Sequence, residues 1–332
     1  MGCASCRRPD NDDVNLDCIR QVLVWRDDAV VGRAASPGEL AAQIHDPATL
    51  VWIDLVAPSP DDLASLAAQL GLGAASIEDA TAPHERPKVI RRPGYLFFQT
   101  YATALDRPRA ADPETGLEVS QVLGHEGRLT LSRISGYVLP KALVTVRLDD
   151  VFDMSEVVRR WEADYDLVAH GPGALLHGLL DTVVDGHFDT IQRLDDAIEA
   201  LEDVLFEDGD LGGEFLRSVY GLRKDLVRLR RVVLPMREVV NGLLRHRQSG
   251  SGVLDAEYDD LYDHVLRAAE WTESLRDMVT SLFETNLSLQ DARLNIVMRK
   301  LAGWAAIIAV PTAVTGWFGR TSPTPASASR GD

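Results

Sequence analysis

One run of residues limits what this chain can fold into more than any other. Leu254, Tyr258, Leu261, Val265, Ala268, Thr272, Leu275, Val279, Leu282, Asn286 and Leu289 alternate steps of four and three. That is a heptad seam, the pattern of helices supercoiling against helices. Neither Pro nor Gly interrupts it between Val253 and Leu301. A helix from Leu254 to Phe318 would be roughly 95 Å long at 1.5 Å per residue, more than a compact domain can cover. One arm of a monomeric bundle and a stalk shared between identical subunits both fit the seam, and the length favours the stalk.

The end of that helix carries its own signal. Leu301 to Phe318 contains no charged residue and would reach about 27 Å, near the roughly 30 Å of a bilayer's hydrocarbon core. Arg293, Arg299 and Lys300 precede it, and Trp304 and Trp317 lie near its ends. Positive residues before the span and aromatics at both interfaces suit a membrane helix entered from the cytosol. A buried core helix is the alternative. Pro311, Thr312, Thr315 and Gly316 weigh against it, because a membrane pore accommodates freed backbone groups more easily. No second apolar run follows in the Pro/Ser/Ala-rich residues 319–332.

Upstream the grammar differs. Val22–Trp25, Leu50–Leu55, Tyr95–Phe98 and Ala142–Val146 are short β-rich runs separated by turn residues. Pro60-Asp61-Asp62 opens a helical pattern through Leu63, Leu66 and Leu70, with Gly71 as its stop. The expected organisation is a tail over 1–18, an α/β domain over 19–150, a helical stalk over 151–300, a membrane pore helix over 301–318 and a tail over 319–332. Long helical patterns break at Glu207–Gly213 and Gln248–Gly252, and Pro235 sits mid-pattern where a kink is expected. The net charge of −17 over 332 residues argues against a binder of phosphate backbones, so no nucleic-acid partner is expected. It suits a protein that lives with cations. Cys3 and Cys6 form a lone C-x-x-C with no second pair, which is weak as a metal or redox motif. Without a secretory apolar core, the N-terminus is expected in the cytosol.

No G-x-S-x-G, Walker A or G-x-G-x-x-G motif is present. His177, Asp181 and Asp185 lie at i, i+4 and i+8 of one helix face, with His187 and Asp189 nearby. Such a face is either a metal-ligand set of a soluble helical hydrolase or a solvated helix surface. His84 and Glu85 read as loop chemistry. Asn295, Met298 and Leu301 lie three apart at the mouth of the apolar segment. If several such helices ring an axis, Asn295 presents a polar ring, and Met298 and Leu301 form apolar collars able to gate by dewetting. Ordinary coiled-coil core fits that spacing equally. Glu284 and Asp260, further down the same helix, are carboxylates able to attract divalent cations.

Ile77-Glu78-Asp79-Ala80, then His84-Glu85-Arg86-Pro87-Lys88-Val89 and Tyr95–Phe98, resemble the N-terminal domain of CorA-type magnesium transporters. So do Leu143–Arg147, Leu194–Glu199, Leu234–Val239 and Tyr262-Asp263-His264, followed by Asn295–Leu301, Pro311-Thr312 and Gly316–Gly319. The order and spacing of these pieces, from Ile19 to Gly319, carry the resemblance. It implies a funnel-shaped homopentamer in the cell membrane, contacting lipid, with a cytoplasmic α/β domain and stalk helices running into the pore. The cargo it implies is magnesium, with cobalt as an alternative, and no enzyme activity or further small-molecule substrate. By position, Glu284 matches the acidic pore ring, Asn295 the pore entry, Met298 and Leu301 the hydrophobic gate, and Thr312 the pore wall. Glu78 and Asp79, with Asp260 of a neighbouring subunit, match the site where bound cytosolic magnesium holds the pore closed.

Two departures bear on conduction. The family's Gly-Met-Asn at the outer mouth reads Gly319-Arg320-Thr321 here, which places a ring of positive charge where a dication must enter. The family's second span is missing from the sequence. A truncated relative that retains the magnesium-sensing funnel without conducting is therefore the alternative expectation.

Overall fold

The computed structural model describes residues 18–26, 29–32, 43–44, 46–82, 85–105, 128–206, 213–246 and 252–321. Cys3, Cys6, His84 and residues 322–332 lie outside them. Among the described residues seven strands form one sheet, ordered β2-β1-β3-β7-β6-β5-β4. They are β1 (Ile19–Arg26), β2 (Ala29–Gly32), β3 (Thr49–Val56), β4 (Lys88–Arg92), β5 (Tyr95–Leu105), β6 (Leu129–Val138) and β7 (Ala142–Arg147). Neighbours pair antiparallel except β3 and β7, which run parallel.

The central strands are buried on both faces, so they read as continuous apolar runs rather than alternating ones. Leu23, Trp25, Trp52, Phe98 and Leu143 enter a core with the long helices. Their neighbours Val22, Val24, Val51, Ile53, Phe97 and Val144 enter a second core on the opposite face, as the two-residue repeat requires. Leu63 and Leu66 of α1 (Pro60–Leu70) and Ala80 of α2 (Ala74–Thr81) close that second core.

Helix α1 is locally specified. The Ser59 hydroxyl accepts from the Asp62 amide at 3.1 Å while the Ser59 amide donates to the Asp62 carboxylate at 3.0 Å, a reciprocal cap. Gly71 ends the helix at φ 68°, a left-handed turn favourable to glycine. Strand β6 escaped sequence reading because Ser132, Arg133, Ser135 and Gly136 break its apolar pattern. All three polar residues are nonetheless buried. Gly136 is required there, since a Cβ would stand 2.6 Å from the Phe98 ring.

Helices α3 (Ser155–Ala163) and α4 (Tyr165–Val168) lead into α5 (Pro172–Phe206), α6 (Gly213–His246) and α7 (Gly252–Thr321). Trp161 of α3 stacks edge-on against Trp52 at 4.9 Å and Trp25 at 6.1 Å. It also donates to the Leu175 carbonyl at 3.1 Å.

The chain divides between Val279 and Thr280 into two compact units. Within the first, the heptad seam is claimed by the chain itself: Leu254, Tyr258, Leu261 and Val265 join the core of Leu175, Leu179, Val183 and Met236. This part of α7 is the arm of an intramolecular bundle. In the second unit Leu282 and Asn286 are still buried, and from Leu294 onward every apolar side chain of the helix is exposed.

Candidate functional site

In the first unit the candidate cation site centres on α2, which several side chains anchor from outside. The Tyr137 hydroxyl donates to the Ser76 carbonyl at 2.9 Å, and the Tyr95 hydroxyl bonds Ser76 Oγ at 2.8 Å. Burial pushes the Tyr137 phenol far above its ordinary pKa, so it stays a neutral donor. Arg133 donates to the carbonyls of Ala80 and Ala82 at the helix end, satisfying groups the helix leaves open. Glu78 is exposed and Asp79 half-buried on this anchored helix.

Asp79 already has a partner. Lys88 Nζ lies 3.0 Å from Asp79 and 2.9 Å from Glu85. Burial opposes the Lys88 ammonium, but its bonds to Glu85 and Asp79 outweigh that and raise its pKa. The sequence gives Lys88 as part of a motif and offers no sign of this pairing, which β4 and α2 create when they meet. Asp260 is exposed, 3.7 Å from His264 Nε2 one turn on. Among the described residues no three His, Cys, Asp or Glu converge as a metal set within one chain.

The hydrolase alternative fails on geometry. His177 is buried, with Nε2 3.1 Å from the Glu257 carbonyl and its ring against Tyr258. The carboxylates of Asp181 and Asp185 are both taken by the Arg160 guanidinium. Asp189 pairs with Arg193, and His187 donates to the Tyr101 carbonyl at 2.8 Å in a fully buried pocket that pulls its pKa down to about 4.

In the second unit Glu284, Asn295, Met298, Leu301 and Thr312 are all exposed. At 3.6 residues per turn they fall within about 120° of the helix circumference, one stripe rather than scattered points. The helix continues through Pro311 to Thr321. Pro311 lacks the amide that would bond the Ile307 carbonyl, leaving a polar group inside the apolar run. Thr312 Oγ1 donates to the Ile308 carbonyl at 2.8 Å, and Thr315 Oγ1 to Thr312 at 3.1 Å. The hydroxyls are thereby held on the helix rather than left unsatisfied. The 18-residue apolar window averages a hydropathy of 1.5 and none of it is buried, so it is not a core helix of this chain. Gly319, Arg320 and Thr321 continue the helix.

A seven-stranded sheet domain with a helical bundle, and a helix long and apolar enough to cross a membrane that the described residues leave uncovered, is the class of architecture that membrane transporters use. The particular family follows from comparison with known proteins. Residues 47–320 match the model of the CorA-like Mg2+ transporter protein family, and the chain belongs to that family, whose members are ion transporters rather than enzymes. It is 27% identical over 298 residues to the cobalt/magnesium transport protein CorA of Thermotoga maritima, covering 85% of this chain and 76% of the relative. The complete structure of the CorA magnesium transporter from Methanocaldococcus jannaschii superposes with a TM-score of 0.68 at 22% identity, covering 92% of this chain and 89% of that one. The ZntB cytoplasmic domain from Vibrio parahaemolyticus shares the fold at a TM-score of 0.56 and 13% identity, covering 82% and 98%.

Proposed function

We propose that the chain is a subunit of a homopentameric magnesium channel in the cell membrane, with cobalt as the alternative cargo. Residues 19–300 lie in the cytoplasm and 301–318 line the pore. The observation that carries this is the stripe of Asn295, Met298 and Leu301, exposed at the head of an uncovered, charge-free helix in a chain of this family. Five copies would set a polar ring before two apolar collars, a constriction that closes by dewetting. Hydrating the collar by Met298→Asn is expected to raise magnesium entry into proteoliposomes above that of the unaltered chain. Entry that is absent with both chains would overturn the channel reading.

Gating would act through Glu78, Asp79 and Asp260, with the cation bridging neighbouring subunits and favouring the closed assembly while cytosolic magnesium is high. Lys88 shares Asp79 with any bound cation, and that like charge weakens the site, as a sensor that must empty requires. Magnesium should protect the chain from limited proteolysis, and replacing Asp79 and Asp260 together by Asn should abolish the protection. Protection unchanged in the double variant removes these residues from the site. A second reading, a non-conducting relative that keeps only the sensing funnel, rests on Arg320 standing where the family has Met. It predicts magnesium-dependent protection without cation entry.

A further inference from the structure

The chain as a whole carries a net charge of −17, yet one cavity in its first unit is lined the opposite way. About 750 Å3 in volume, it lies between the sheet and α6, with Arg86, Arg133, Arg228 and Arg231 in its wall. Among the described residues, the carboxylates lining it are Glu85 and Asp149, and both are engaged. Glu85 pairs with Lys88, while Asp149 accepts from the Ser132 hydroxyl and the Val151 amide. Arg228 stands 3.9 Å from Asp225, whose other oxygen takes the Arg128 amide at 2.8 Å. Arg86 and Arg231 are exposed and form no ion pair with a described residue.

Arg133 is the decisive group. It is only 6% exposed, and its guanidinium donates to two neutral carbonyls, those of Ala80 and Ala82. Both terminal nitrogens thus bond neutral oxygens, and the guanidinium forms no ion pair with a described carboxylate, although Glu85 and Asp149 share the cavity wall. A buried positive charge that no carboxylate contacts directly is unfavourable, so the cavity gains by admitting an anion. Four guanidiniums suit a ligand of several charges with oxygens in forked pairs, which is phosphate chemistry. Tyr101, its hydroxyl committed to the Glu85 carbonyl, and Pro235 give the same cavity an apolar wall. The volume is in the range of small-molecule sites, about 300–1,000 Å3, large enough for a nucleotide.

We propose that this cavity binds a nucleoside polyphosphate, with the phosphates on the arginines and the nucleoside along the Tyr101 wall. The proposal stands apart from the transport reading and needs no residue of the second unit.

The test is calorimetric titration of the full-length chain in non-ionic detergent and metal-free buffer, with ATP, pyrophosphate, sulfate and phosphatidylglycerol vesicles as separate ligands. Saturable binding of ATP, tighter than that of pyrophosphate and weakening as salt rises, is expected. Arg86→Gln and Arg231→Gln should each reduce the affinity about tenfold, the loss of one charge-assisted bond. Both positions are exposed, so thermal unfolding should not move and loss of binding cannot be confused with loss of fold. Arg133→Gln should abolish binding, but it also releases the end of α2, so the two exposed variants decide. No saturable heat at millimolar ATP overturns the site. So does an affinity unchanged in the Arg86→Gln/Arg231→Gln double variant, competition by sulfate as effective as by pyrophosphate, or binding to vesicles alone. Equal affinity for ATP and pyrophosphate overturns the nucleoside assignment.

Discussion

Trp161 and Trp317 are the same residue under opposite conditions. Trp161 is 2% exposed and wedged between two other indoles, whereas Trp317 is 74% exposed on a helix with nothing against it. The contrast holds for the units that contain them. Up to Val279 the chain buries its own apolar surface in two cores, one on each face of the sheet. From Leu294 to Phe318 it buries none. Apolar surface left in water is unfavourable by about 25 cal/mol per Å2, so the first unit is stabilised by its own packing, whereas Leu294 to Phe318 calls for cover that the described residues do not supply. Hydrophobic content therefore separates the two regions less well than the availability of a partner does.

Four changes break or sharpen this division. The largest effect is expected from removing residues 280–321: the remainder should move from the membrane fraction to the soluble one and still unfold cooperatively. A remainder that stays with the membrane would place lipid-binding surface in the first unit. Next, Arg147→Met should cost about 3–5 kcal/mol in chemical denaturation, because it strands Asp54, now 2.6 Å from the guanidinium and fully buried, without its counter-charge. Membrane partition of the chain should be unaffected by that variant.

A smaller effect is expected from acid. His187 is neutral when folded, with a pKa near 4 against an ordinary 6.5. The unfolded chain therefore takes up a proton first, and stability should fall as pH drops from about 6.5 to about 4, by about 3 kcal/mol at roughly 1.4 kcal/mol per unit. Unfolding curves across that window should show the loss, and His187→Gln should flatten it. Smallest, Ser59→Ala should cost about 1 kcal/mol by removing the cap of α1, read as a lowered thermal midpoint with no change in cation response.

Much of the first unit was legible as local pattern. The strands around Trp25, Trp52, Phe98 and Val144 and the start and stop of α1 depend on neighbours in sequence, and each appears where the residues indicate. Strand β6 did not, because its polar positions are acceptable only once Arg133 meets the end of α2 and Ser135 meets Gln99 across the ladder. The seam on α7 was legible as a seam but ambiguous in its partner. A heptad states that a helix will be covered and does not state by which chain.

By itself the sequence determined the helix that runs through the seam, the charge-free span from Leu301 to Phe318, the stripe of Asn295, Met298 and Leu301, and membership of a transporter family. These follow from residue type and spacing along one helix, where geometry is set by a fixed turn. Only the tertiary structure decided that the seam up to Val279 is spent within the chain. It alone shows that Arg160 takes Asp181 and Asp185 of α5, that Lys88 pairs with Asp79 and Glu85 together, and that buried Arg133 bonds carbonyls and forms no ion pair with a described residue. These are encounters between segments whose distance depends on strand order and on which helix covers which face, and no local rule of spacing contains that.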